Sequence, residues 1–158
     1  METALKSEVK EINWPEKIFI TTRATLPFEQ LSSFFTEKYG SIYSAIYKMG
    51  LQANEPPCAI YYSVDEIKKE TDLAAAVPVT GPVPELVGFE KVVIPASKAL
   101  TITHYGPFES MTETYSLLQK YLDQHGLKTK WMIEQYLSDP AVEKDPANWK
   151  TNIYFVLN

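Results

Sequence analysis

Apolar positions along this chain follow two rhythms, and the same succession of rhythms is met twice. Residues 17–24 are rich in β-branched and aromatic side chains and predict a strand. Pro27 suits the first position of a helix. Leu31, Phe35, Tyr39, Ile42 and Ile46 then follow helical spacing as far as Gly50, with Gly40 inside the pattern. After the turn Asn54-Glu55-Pro56-Pro57, a strand is predicted over 58–63, a charged connector over 64–71 and a short strand over 72–79. In the second half, 87–95 and 98–105 read as a hairpin and 107–125 as a helix. A strand over 131–137, a long loop over 138–148 and a closing strand over 150–157 follow. Residues 1–13 are polar and read as frayed or extended.

Phe35, Tyr39, Ile42 and Ile46 fall on Met111, Tyr115, Leu118 and Leu122, and Gly50-Leu51 falls on Gly126-Leu127, all 76 residues apart. Pro27-Phe28-Glu29 falls on Pro107-Phe108-Glu109 at 80 apart, so the first helix is longer by about one turn. Tyr62 then falls on Tyr136 and Val79 on Leu157. Two tandem strand–helix–strand–strand units are predicted, an α+β fold with a mostly antiparallel sheet. One domain over 1–158 is expected, with repeat halves at about 17–79 and 85–157 joined through Thr80-Gly81-Pro82-Val83-Pro84. Either half alone would expose a sheet edge, so the halves are expected to share a sheet. The helices are expected on one face and a ligand groove on the other, because a duplicated fold places a crevice along its pseudo-two-fold.

Successive side chains of a strand point to opposite faces. Trp131, Ile133 and Leu137 form one set, assigned to the helices, and Met132, Glu134 and Tyr136 the other. In the last strand Ile153, Phe155 and Leu157 are assigned to the helices, leaving Tyr154 and Val156 opposite. The repeat puts Ile60 and Tyr62 in the places of Glu134 and Tyr136. One face is then expected to carry Tyr62, Tyr136, Tyr154 and the carboxylate of Glu134. Aromatic walls over a negative floor suit a lipophilic cation. Alternation leaves a plainer reading open, in which these are ordinary solvent-facing strand residues. A one-residue slip of strand phase would turn Glu134 toward the helices, reverse these assignments and, with Trp131 in the groove, end the binding-site argument.

A chain of 158 residues buries about two thirds of its unfolded surface and needs no staple. Ten tyrosines make the aromatic share high, enough to fill a core and still line a site. The net charge of −5 is spread without any Lys/Arg cluster, which argues against direct nucleic-acid binding and mildly favours cationic ligands. The single cysteine, Cys58, cannot form an internal disulfide and reads as a small core residue in a reducing compartment. With no apolar leader and no long apolar run, a soluble cytoplasmic protein without membrane contact is expected.

The ordered set Val93-Ile94-Pro95-Ala96, His104-Tyr105-Gly106-Pro107-Phe108-Glu109, Gly126-Leu127, Glu134-Gln135-Tyr136, Asp139-Pro140 and Thr151-Asn152-Ile153-Tyr154-Phe155-Val156-Leu157 resembles the GyrI-like small-molecule-binding family. This family includes the effector-binding domain of AraC- and MerR-type multidrug-responsive bacterial transcription regulators. The resemblance covers the second half well and reaches the first half mainly through the repeat. It implies SHS2-type repeats around a central groove. It also implies a buried acid in the groove, here Glu134, flanked by Tyr136, that meets cationic or aromatic ligands. The regulators carry an N-terminal DNA-binding domain, and about 16 residues precede the first predicted strand here, so a stand-alone form is expected. Stand-alone members resemble drug-sequestering proteins, gyrase-inhibitor-like proteins, or hydrolases of cyclopropane-bearing toxins.

His125 precedes a helix stop, where a cation is favourable. His104 lacks the neighbours of a metal site, although a related haem-binding family shares the fold and would make it a ligand. Trp149 reads as a lid over the groove or a surface-packing anchor. Glu29 and Glu109 suit first-turn positions of helices. No metal or cofactor is expected. The first functional expectation is capture of a hydrophobic, often cationic or aromatic, small molecule by Glu134, Tyr136, Tyr154, Tyr62 and Trp149. The second is hydrolysis of an electrophilic toxin, with Glu134 as general base and Tyr136 or Tyr154 as hydrogen-bond donor. The third is a protein-interaction module whose partner is gyrase or a regulator.

Overall fold

The computed structural model describes residues 8–158, among which lie eight β-strands and two α-helices. The chain divides into two compact units, residues 15–96 and residues 97–158, the latter including the N-terminal strand. In the first unit, β2 (Lys17–Pro27), β3 (Cys58–Asp65), β4 (Glu70–Val79) and β5 (Glu90–Ile94) stand in the antiparallel order β3-β4-β2-β5, with α1 (Leu31–Lys48) following β2 in the chain. In the second, β1 (Lys10–Trp14), β6 (Ser97–Tyr105), β7 (Thr129–Tyr136) and β8 (Lys150–Leu157) stand in the antiparallel order β7-β8-β6-β1, with α2 (Met111–His125) following β6. The cores β3-β4-β2 and β7-β8-β6 share one topology, while the edge strand β5 follows its core in the chain and β1 precedes its own. The fold is α+β and mostly antiparallel.

The expected hairpin over 87–105 does not form. β5 pairs with β2, while β6 pairs with β1, a strand that begins within the segment expected to be frayed or extended. Residues 1–7 lie outside the described residues. Pro15-Glu16 separates β1 from β2, and Pro95-Ala96 separates β5 from β6. A two-residue hairpin turn needs positive φ at its first residue, which a proline ring forbids. β5 therefore pairs at the edge of the first unit's sheet and β1 at the edge of the second's. This also moves the division between the units to Ala96–Ser97, away from the loop at 80–84.

Both helices begin later than expected. Pro27 ends β2, and 3₁₀ turns at Phe28–Gln30 and Phe108–Ser110 lead into α1 and α2. Gly126 closes α2 with φ 64°, a left-handed conformation that glycine adopts without a Cβ penalty. The expected connector over 64–71 shortens to a tight turn, because β3 runs on to Asp65 and β4 starts at Glu70. Asp65 Oδ1 accepts from the amides of Ile67 and Lys68, 3.0 Å each, and holds that turn.

α2 buries the stripe its spacing predicts. Met111, Leu118 and Leu122 pack with Leu100, Ile102, Ile153, Phe155 and Leu157, and Tyr115, Leu127 and Met132 close the margin. Each fully buried Leu, Ile or Phe contributes about 1.5–3 kcal/mol to holding helix on sheet. Ile153, Phe155 and Leu157 face the helix as expected. β7 does not follow the expectation. Glu134 stands opposite Ile153 and Met132 opposite Phe155, and cross-strand partners share a face. Met132, Glu134 and Tyr136 therefore take the α2 face, and Trp131 and Ile133 the other.

The phase error has a physical source. The β7–β8 register shifts between Thr129 and Trp131, and both faces of β7 are covered, with Ile133 at 0% and Glu134 at 7% exposure. Alternation then contains no mark of which set meets the helix.

Candidate functional site

Glu134 and Tyr136 lie two residues apart on β7 and so project from one face. Tyr136 donates from its hydroxyl to Glu134 Oε1 at 2.7 Å. Tyr115, on the first turns of α2, donates a short hydrogen bond to Glu134 Oε2. Its ring leans on Phe155 at 6.0 Å, which fixes the phenol from behind. Each carboxylate oxygen thus accepts a phenolic hydrogen bond. A buried carboxylate is costly unless its oxygens accept hydrogen bonds, and charge-assisted bonds of this kind are among the stronger ones. The site so rebuilt is a carboxylate held between a strand and a helix, not one on an open face opposite the helices.

Aromatic rings continue outward from this pair. Phe108 packs edge-on to Tyr136 with centroids 5.9 Å apart, and Trp149 lies 5.1 Å from Phe108. The indole Nε1 of Trp149 donates to the Glu143 carbonyl at 2.8 Å, and the Gly106 amide donates to the Trp149 carbonyl at 2.8 Å. Trp149 is therefore anchored on both sides and forms the end of an aromatic row that begins at Glu134. A separate concavity of about 400 Å³, lined by Ser97, Lys98, Gly126, Leu127 and Lys128 among others, includes none of these groups.

One expected wall residue, Tyr154, lies on the other face of its own sheet. Tyr154 stands opposite Ile133 and so faces away from Glu134. Its ring meets Trp14 at 5.2 Å, and its hydroxyl accepts from Asn152 Nδ2 at 3.2 Å. Tyr62 belongs to the first unit, where the Arg23 guanidinium lies 3.7 Å from its ring centroid. Arg23 is itself held by both carboxylate oxygens of Asp72, at 2.9 and 2.8 Å. Burial raises the Tyr62 phenol above its ordinary range, and Arg23 opposes that shift.

Register also corrects the repeat. Ala59 stands opposite Ala75 as Glu134 stands opposite Ile153, so Ala59 takes the place of Glu134 and Tyr61 that of Tyr136. Tyr62 is the extra residue of a bulge between Tyr61 and Ser63. The carboxylate exists in one unit only.

Tyr115 and Phe108 were missed as site residues. Tyr115 reads as one more apolar position of a helix stripe, and only the partner reached by its hydroxyl sets it apart. Phe108 sits within the Gly-Pro-Phe turn that the sequence does single out.

His104 is 5% exposed, with Nδ1 2.8 Å from Thr114 Oγ1 and Nε2 2.9 Å from the Pro107 carbonyl. Both ring nitrogens are engaged in fixing the entry to α2, an arrangement unlike that of a haem ligand. His125 stacks on Tyr121 at 4.0 Å near the end of α2. Among the described residues no cluster of three His, Cys, Asp or Glu side chains is placed to hold a metal ion, and no helix is long and apolar enough to cross a membrane.

The model of the GyrI-like small molecule binding domain matches residues 7–157. Among solved structures, the C-terminal domain of EcmrR superposes with a TM-score of 0.75 at 22% identity, over 99% of both chains. In the EcmrR–DNA complex the TM-score is 0.80 at 22% identity over 96% of this chain, which spans only 57% of the EcmrR chain. A hydrolase from Listeria innocua aligns with a TM-score of 0.70 at 16% identity, over 96% of this chain and 92% of its own. SAV2435, in a structure bound to tetraphenylphosphonium, aligns with a TM-score of 0.67 at 12% identity, over 96% of this chain and 94% of its own. At these identities the likeness is one of fold. No curated protein sequence matches significantly.

Proposed function

The chain belongs to the GyrI-like small-molecule-binding family, and on that footing we propose that it captures hydrophobic cationic or aromatic small molecules at Glu134. The observation that carries this reading is the buried Glu134 carboxylate, oriented by the Tyr115 and Tyr136 hydroxyls at the inner end of an aromatic row. A fixed anion in a desolvated site attracts a cation more strongly than one in water, and the rings add dispersion and cation–π attraction. The tetraphenylphosphonium held by SAV2435 is a ligand of this chemical kind.

The test compares tetraphenylphosphonium with neutral triphenylphosphine oxide by calorimetry. Glu134→Gln is expected to weaken the cation at least about tenfold and the neutral compound little, since a pairing worth about 1.4 kcal/mol is a factor of ten. Equal losses for both ligands would make Glu134 structural and remove the reading.

The same groups support a second reading, because a carboxylate beside two phenols can activate water while a phenol steadies a developing oxyanion. A Listeria innocua protein of the same fold is described as a hydrolase. Incubating substoichiometric protein with a cyclopropane-bearing alkylator, followed by mass spectrometry, separates the two. Ring-opened product in excess of protein marks turnover, and intact compound marks binding.

A further inference from the structure

His104 stands opposite Thr151, and Thr151 stands opposite Tyr136, so the histidine and the tyrosine share one rung and the α2 face of the sheet. The buried ring reaches from the strand to the helix. Its Nε2 lies 2.9 Å from the Pro107 carbonyl, which can only accept, so Nε2 carries the proton and donates. Nδ1 is then left to accept from the Thr114 hydroxyl at 2.8 Å. Thr114 directly precedes Tyr115 on α2, the helix residue bonded to Glu134. One imidazole thus fixes both the turn that leads into α2 and the helix position next to the site phenol.

The first unit supplies an internal comparison. On its matching rung Ala24 stands opposite Leu73, and Leu73 opposite Tyr61, so Ala24 takes the place of His104. Lys38, 76 residues before Thr114, takes the place of the threonine. Tyr39, the counterpart of Tyr115, donates to the main-chain carbonyl of Cys58 at 2.6 Å. The imidazole clamp and the carboxylate are therefore absent together. Entry to the helix does not by itself require the histidine, since α1 follows the same kind of 3₁₀ turn without it. What differs is the acceptor. A binding constellation has to be held within about 0.5 Å of its productive geometry by side chains that are themselves locked.

From this we infer that His104 is a positioning residue for the ligand site: through Thr114 it sets where the first turns of α2 stand over the sheet, and so holds the Tyr115 hydroxyl on Glu134. The inference rests on the cation-binding reading of Glu134 and adds the residue that keeps its carboxylate oriented.

The experiment titrates tetraphenylphosphonium by calorimetry into wild type, Glu134→Gln, His104→Gln, His104→Asn and Thr114→Val, the last three also in a Tyr115→Phe background. The Tyr115 hydroxyl proton, shifted downfield by its bond to the carboxylate, is followed by NMR and assigned by its disappearance in Tyr115→Phe. A glutamine amide reaches the place of Nε2 and abandons Thr114, whereas an asparagine amide reaches the place of Nδ1 and keeps it. His104→Gln and Thr114→Val are expected to move the hydroxyl resonance and weaken the cation about fivefold, the scale of one lost hydrogen bond. His104→Asn is expected to restore binding to within about twofold of wild type. In the Tyr115→Phe background no further loss is expected, because the group being positioned is gone. Equal losses in both backgrounds, or an unmoved resonance, would make His104 a structural residue and overturn the inference, while the carboxylate reading stands if Glu134→Gln still weakens the cation. If wild type does not bind the cation, the carboxylate reading falls and the binding role of His104 falls with it. Thr114→Val, nearly isosteric, carries the test should His104→Gln fail to fold.

Discussion

Tyr115 on α2 and Glu134 on β7 are joined by a phenol-to-carboxylate hydrogen bond, so the helix is bolted to the strand through the candidate ligand-binding group itself. Tyr115 also borders the apolar core under α2. Its hydroxyl and its ring therefore serve different ends. The ring contributes burial, and the hydroxyl satisfies one oxygen of a carboxylate with little access to water.

Tyr115→Phe keeps the ring and removes the bond. The expected cost is about 1–2 kcal/mol in urea unfolding, the range for a lost hydrogen bond to a charged group that keeps a second donor. In a Glu134→Gln background the same substitution is expected to cost less, because an amide oxygen is a weaker acceptor than a carboxylate. Equal costs in both backgrounds would show that the two side chains are not coupled.

Two glycines should respond in opposite directions to alanine. Gly126 closes α2 at φ 64° and Gly40 lies inside α1, and an added Cβ meets nothing within 4 Å at either. Without steric conflict, backbone preference decides the sign. Gly126→Ala is expected to destabilise by about 1 kcal/mol and Gly40→Ala to stabilise by about 0.5–1 kcal/mol in denaturant melts.

Asp72 is held below the usual carboxylate range, first by its hydrogen bonds from Arg23 and then by the charge of that guanidinium. A depressed folded-state value contributes stability that is full above the ordinary Asp range and disappears as pH falls through the depressed value. Asp72→Asn should therefore melt below wild type at pH 7, with the two curves converging as pH falls through the depressed value. The pair is partly exposed, so added salt should narrow the gap at pH 7.

Burial pushes the Cys58 thiol up to about 12. At pH 8 only about one thiol in ten thousand is then the reactive thiolate. Labelling by a disulfide reagent should wait for unfolding and become complete in denaturant. Prompt reaction of the native protein would contradict the buried placement.

The sequence by itself determined the duplication, the apolar stripe of each helix, the glycine stop after each helix and the presence of an acid two residues before a tyrosine on a strand. These follow from local periodicity and from residues with few conformational choices. The helix-facing set of β8 was legible for the same reason, since Ile153, Phe155 and Leu157 form an unbroken apolar series. Only the tertiary structure decided the partner of β5, the face taken by Glu134 and the identity of Tyr61 as the counterpart of Tyr136. A period of two states which residues share a face without stating which face meets a helix. On β7 each set holds a buried residue, Ile133 in one and Glu134 in the other, so hydrophobicity could not break the tie. A single bulged residue moves every side chain beyond it to the other face, and two such irregularities lie in β3 and at the start of β7. The Tyr115–Glu134 bond joins groups from a helix and a strand, a contact that exists only once α2 has packed on the sheet.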